Sequence, residues 1–95
     1  MIIRSQHKTR IVNMNGIDTI CIRSTEDENI VTVDAFNGDS YTLMGEYSTE
    51  EKAIKVLDMI QNEYFTHMTV VDNAGVTVKM LERPKVFQMP QDSEV

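Results

Sequence analysis

Between Ser48 and Phe65 the chain carries its strongest constraint on folding. Ala53, Val56, Leu57, Ile60 and Tyr64 recur at the spacing that lines one side of an α-helix, while Glu50, Lys52, Lys55, Asp58 and Glu63 occupy much of the remaining surface. Ser48 and Glu51 have the Ser-x-x-Glu spacing of a capping box, in which each side chain satisfies an otherwise unpaired backbone amide, and Thr49 is the competing cap. Such a helix, about four turns long, is wet on one side and must bury the other. The segments before it read as strands, so the predicted architecture is α+β: an antiparallel β-meander packed against one amphipathic helix, with a late hairpin or short strand.

The meander is predicted from alternation and turn chemistry. Thr9 to Met14 and Ile17 to Arg23 read as two strands joined by Asn15-Gly16, a dipeptide suited to a tight hairpin, which sets Ile11 opposite Ile20. From Ile30 to Ala35 the residues alternate, with Val31, Val33 and Ala35 on one face and Thr32 and Asp34 on the other. For the next turn, a two-residue Asn37-Gly38 loop pairs Asp34 with Tyr41 and mixes the faces. A three-residue Phe36-Asn37-Gly38 loop sets Val31 against Leu43, Thr32 against Thr42 and Val33 against Tyr41, and this is the predicted register. The strand is expected to end near Gly45.

After Phe65, residues 66–85 read as a second hairpin or a long arm, with Asp72-Asn73-Ala74-Gly75 as its turn and Pro84 as a stop. Val86 to Met89 forms a short strand that pairs with an open edge, in its own sheet or in a second subunit. The expected organisation is one domain over 1–90 and a flexible tail over 91–95. The closing Ser93-Glu94-Val95 resembles peptide tails that add to a sheet edge, but three residues are too short a signal to carry a function.

Composition excludes several classes. At 95 residues the chain has room for one core. Its apolar runs are far below the ~20 residues of a membrane span, and the start lacks a signal-peptide core, so a cytoplasmic protein without membrane contact is expected. A formal charge of −6 argues against direct nucleic-acid binding, which needs a basic surface. The charge is uneven: Arg4, Lys8 and Arg10 fall within the first 17 residues, where there is no acid. These three cations, with Phe87 and Met89 on the late strand, are the candidate interaction surface, set against the plainer reading of a solvated strand edge.

No cluster points to chemistry. Cys21, among Ile17, Ile20 and Ile22, reads as a small core residue, since no lowered-pKa surroundings are evident. His7 and His67 lie too far apart for a local metal motif. Glu26-Asp27-Glu28 lacks the glycine and later carboxylate of a calcium loop. Met14, Met44 and Met59 are expected to fill the core. Phosphate loops, nucleophile elbows and zinc-helix motifs do not occur, so no catalytic, cofactor or metal residues are expected.

Met1-Ile2-Ile3-Arg4-Ser5-Gln6, Gly45-Glu46-Tyr47-Ser48, Glu51-Lys52-Ala53 and Met89-Pro90 resemble segments of small uncharacterised proteins of Firmicutes and their phages or mobile elements. The resemblance implies a cytosolic bacterial or phage-associated domain and carries no catalytic residue with it. The functional expectation is a noncatalytic interaction module that binds a protein partner or forms a homodimer. The alternative is an acidic antagonist that occupies a basic site on another protein, which calls for Glu50, Glu51, Asp58 and Glu63 to form one continuous stripe.

Overall fold

Ile3 is fully buried, and its short strand organises half of the molecule. The structure is a computed structural model and describes residues 1–24, 29–66, 70–71, 77–78 and 86–95. Strand β1 (Ile2–Arg4) runs antiparallel to β2 (Ile11–Asn13) and parallel to β8 (Val86–Gln88), giving the order β2-β1-β8. A second sheet has the order β3-β4-β5, from β3 (Thr19–Ser24), β4 (Val31–Asn37) and β5 (Ser40–Tyr47), all antiparallel. Helix α1 (Glu50–Thr66) packs across all three of these strands. The late hairpin is a separate pair, β6 (Val70–Val71) with β7 (Thr77–Val78). The fold is therefore α+β, with the expected meander under one helix.

The core draws on both sheets and the helix. Val31, Val33, Ala35, Met44 and Tyr47 from β4 and β5 meet Ala53, Val56 and Ile60 from α1, and Ile3, Phe87 and Met89 complete the cluster. Burial of each large side chain contributes about 1.5–3 kcal/mol relative to exposure. Tyr64 lies outside the buried stripe, and so does Met59, which was expected to fill the core; Met14 packs against it only in part.

Three local expectations are corrected. Residues 9–14 and 17–23 do not form a hairpin: β2 turns back onto β1, and β3 pairs with β4. Asn15-Gly16 sits instead in a 3₁₀ turn over Met14–Gly16, where the Asn15 amide donates to Asn13 Oδ1 at 3.0 Å and the Ile17 amide to the Met14 carbonyl at 3.3 Å. The dipeptide spends its turn propensity on a corner between two sheets. In the β4-β5 hairpin the loop is Gly38-Asp39, with Gly38 at φ 61° and Asn37 opposite Ser40. Glycine leads this two-residue turn, as a positive φ at its first central position requires. Asp34 then faces Leu43, and a bulge between Val33 and Asp34 takes up Met44, so that Val33 faces Gly45 and Val31 faces Tyr47. Phe36 lies in the strand opposite Tyr41, their ring centroids 5.6 Å apart.

The helix start is the third correction. The Lys52 amide donates to Thr49 Oγ1 at 3.2 Å, so Thr49 is the cap. Ser48 is engaged elsewhere: its amide and hydroxyl both donate to Asp92 Oδ1, at 2.7 and 3.0 Å. That contact also involves the segment 91–95, read from sequence as a flexible tail. Asp92–Glu94 forms a 3₁₀ turn docked on the helix start, where Lys52 Nζ lies 3.3 Å from Asp92 Oδ2, and Val95 packs against the core. The turn at 72–75, Pro84, His67 and the acidic run 26–28 lie outside the described residues.

Candidate interaction surface

The two edges of the β3-β4-β5 sheet are treated differently. Along β5, Gln6 fills the place of a further strand. Its amide donates to the Met44 carbonyl at 2.7 Å, its Oε1 accepts from the Glu46 amide at 2.9 Å, and its Nε2 donates to the Glu46 carbonyl at 3.0 Å. The same Nε2 reaches the Pro90 carbonyl at 3.2 Å, and Gln91 Nε2 donates to the Gln6 carbonyl at 2.8 Å. Gln6 is buried, so its backbone and side-chain amides reproduce strand pairing at Met44 and Glu46 and close that end of the edge from water. On the other side, β3 ends the sheet and pairs with β4 alone among the described strands. Its Ile20, Cys21 and Ile22 are half-buried.

Register and alternation place Arg23, Cys21, Thr32, Asp34, Phe36, Tyr41 and Leu43 on the sheet face turned away from the core. Asp34 is only 2% exposed there. Thr32 Oγ1 donates to its Oδ2 at 3.2 Å and Arg23 Nη1 lies 3.5 Å from the same oxygen, while Oδ1 has no hydrogen-bond partner. Burial raises the Asp34 pKa from the ordinary carboxylate value, against the opposing pull of the Thr32 hydrogen bond and the Arg23 charge. The Arg23 guanidinium sits 4.7 Å from the Tyr41 ring centroid and 5.9 Å from that of Phe36. This stack pairs one oxygen of the carboxylate and covers the group with a flat cation–aromatic layer. Arg23, Asp34 and Tyr41 line a groove of about 460 Å³ that Arg10 also borders.

The five residues singled out from sequence separate. Arg10 is exposed and borders this groove. Arg4 and Lys8 are exposed too, but they stabilise their own turn: Arg4 Nε and Nη2 both lie 3.3 Å from the Lys8 carbonyl, and Lys8 adopts φ 65°. Phe87 and Met89 are 7% and 1% exposed and belong to the core, which removes them from any surface. The late strand that carries them pairs in parallel with β1 of its own chain. The acidic stripe does not form either: on helical geometry Glu51 and Asp58 share one side with Lys55 between them, and Glu63 points elsewhere.

His7 is exposed, and Cys21 is a free thiol within β3. Among the described residues no group of three His, Cys, Asp or Glu side chains could hold a metal ion, and no helix is long and apolar enough to cross a membrane. Gln6, Asp34 and Asp92 carry much of the polar architecture and were not singled out from sequence. Only Asp34 offered a signal, as a lone charge inside the Val-Asp-Ala run of a strand. No protein-family model matches the chain, and no curated protein or solved structure does.

Proposed function

We propose that this protein is a noncatalytic interaction module that works through the backbone edge of β3. The observation that carries the reading is the contrast between the two sheet edges: Gln6 occupies the β5 edge at Met44 and Glu46, whereas β3 has no strand on its outer side among the described strands. Natural sheets protect such edges with lysine, proline or bulges. Thr19–Ser24 contains neither lysine nor proline, and its register with β4 is unbroken. Its one charge, Arg23, is turned onto Asp34 and Tyr41. An edge of this kind gains main-chain hydrogen bonds from an added strand and specificity from alternate side chains. A cytoplasmic bacterial or phage-associated setting, which the resemblance implies, fits a small protein of this type.

A tagged pull-down from the native host, with wild type and a Cys21→Lys variant at low and high salt, tests the reading. The lysine protects the edge as natural edge lysines do. The expected result is a protein, a second copy or another chain, recovered with wild type at both salt concentrations and lost with the variant, because backbone pairing is little screened by salt. Recovery undiminished by the variant overturns the edge as the surface. Recovery of nothing at either salt concentration overturns the module.

A further inference from the structure

Resting on that reading of β3, we infer that the strand added to the edge is β3 of a second copy, paired antiparallel about a two-fold axis through Cys21. Symmetry restricts the register sharply. Residues directly opposite in an antiparallel pair point to the same side of the sheet, and successive residues of one strand point to opposite sides. A two-fold axis normal to the sheet keeps each side on its own side. A residue therefore cannot face its own neighbour across the axis, and the axis must pass through a residue that faces its own copy.

For Thr19–Ser24 two axes give the longest pairing, through Cys21 or through Ile22. The Cys21 axis sets Ile20 opposite Ile22 of the second copy, twice, on the side where both already pack against the core, and Thr19 opposite Arg23 on the outward side. The Ile22 axis leaves Ile20 facing Ser24 and brings the two Arg23 residues within two residues of each other along the strands, about 7 Å. With the Cys21 axis they are four residues apart, about 14 Å, beyond the screening length of physiological salt. Apolar pairing and charge spacing both select Cys21. The second copy covers the half-buried edges of Ile20 and Ile22, and the isologous contact uses up the β3 edge of both copies. The result is a continuous six-stranded sheet, β5-β4-β3-β3-β4-β5.

The register brings the two Cys21 Cα atoms to about 4.5 or 5.5 Å, within the range a disulfide bridges. The test measures mass by light scattering across a dilution series and covalent dimer formation after mild oxidation of the full chain. The expected result is a reversible dimer of the wild type that oxidation traps through Cys21. Single-cysteine Cys21→Ser/Ile22→Cys protein is expected to be trapped poorly. Cys21→Lys, which opposes two like charges at the axis, is expected to weaken self-association up to about fivefold, and its unchanged circular dichroism is the check on folding. A dimer trapped through position 22 but not 21 overturns the register. A dimer that Cys21→Lys leaves intact overturns the edge. A wild type that stays monomeric to millimolar concentration overturns the second copy, while loss of a different bound protein in the Cys21→Lys pull-down still supports the module.

Discussion

At the scale of single residues, Gly45 shows why a small side chain is required within β5. A Cβ built there meets Tyr47 Cε2 and Oη at 3.0 Å, and Tyr47 cannot swing aside, because it is 1% exposed and its Oη donates to the Pro90 carbonyl at 2.8 Å. Gly45→Ala is therefore expected to cost about 1–3 kcal/mol in urea unfolding, the range for forced overpacking. Combined with Tyr47→Phe, which frees the ring, the loss is expected to be less than additive. A loss within about 0.5 kcal/mol for Gly45→Ala alone places the tyrosine elsewhere. Asp34 provides a pH-dependent case. Its raised pKa means that the folded state holds the proton more readily than the unfolded chain, so its contribution to stability falls as pH rises through the window above 3.8. Asp34→Asn removes that dependence. Relative to wild type the variant is expected to be least favourable in acid and to gain as pH rises, by about 1 kcal/mol at neutral pH from removing an incompletely paired buried charge. A difference between the two proteins that is flat with pH, in chemical unfolding from acid to neutral, refutes it.

At the scale of elements, the helix is the part most legible in the sequence, because its apolar stripe is a local, periodic signal. Its start is less so. Ser48 and Thr49 are both competent caps, and the choice was decided by Asp92, more than 40 residues away, which takes up the Ser48 hydroxyl. Thr49→Ala is thus expected to destabilise by about 1 kcal/mol, the usual cost of a lost cap, and Glu51→Ala to stay within about 0.5 kcal/mol. Equal losses for the two in thermal unfolding restore the capping box. The strands repeat the lesson. Alternation identified the buried face of β4, since Val31, Val33 and Ala35 are all buried as expected. Pairing partners were not legible, for two reasons. Asn-Gly is compatible with a 3₁₀ corner as well as a hairpin, and the bulge that takes up Met44 changes which residues of β5 face Val31 and Val33, which no alternation rule anticipates. The candidate surface was less legible still. Arg10 was singled out from sequence, but an edge without an outer strand among the described residues is a property of topology and emerges only once Gln6 is seen on the other side.

At the scale of the whole molecule, four separate segments, 1–6, 45–48, 51–53 and 89–90, converge. Ser5 and Gln6 from the first, Glu46, Tyr47 and Ser48 from the second, Lys52 and Ala53 from the third and Met89 and Pro90 from the last meet where both sheets, the helix start and the chain end join. Ser5 Oγ accepts from the Arg10 amide at 3.1 Å, and Gln88 Nε2 donates to the Ser5 carbonyl at 2.9 Å, so the first turn belongs to the same knot. Polar side chains here substitute for a ladder that two small sheets cannot extend, and the final residues are one of its sides. Burial, followed by the nearby Asp92 and Glu94 charges, raises the Tyr47 pKa, so its hydroxyl stays a donor to Pro90. The Ser48 backbone hydrogen bond, with the Ser48 hydroxyl and Lys52, holds the Asp92 pKa below 3.8, so the stability it contributes is present above that pH and is lost in stronger acid. Removing residues 91–95 is therefore expected to lower the urea midpoint and to speed amide exchange in the first turn of α1, because Ser48 and Lys52 lose Asp92, Gln6 loses the Gln91 contact and Val95 leaves the core. A tail that merely trails from Pro90 predicts the reverse: unchanged midpoint and unchanged exchange. The same truncation leaves β3 untouched, so self-association is expected to survive it wherever the shortened chain remains folded. That separates the knot, which holds the molecule together, from the edge, which we propose holds two molecules together.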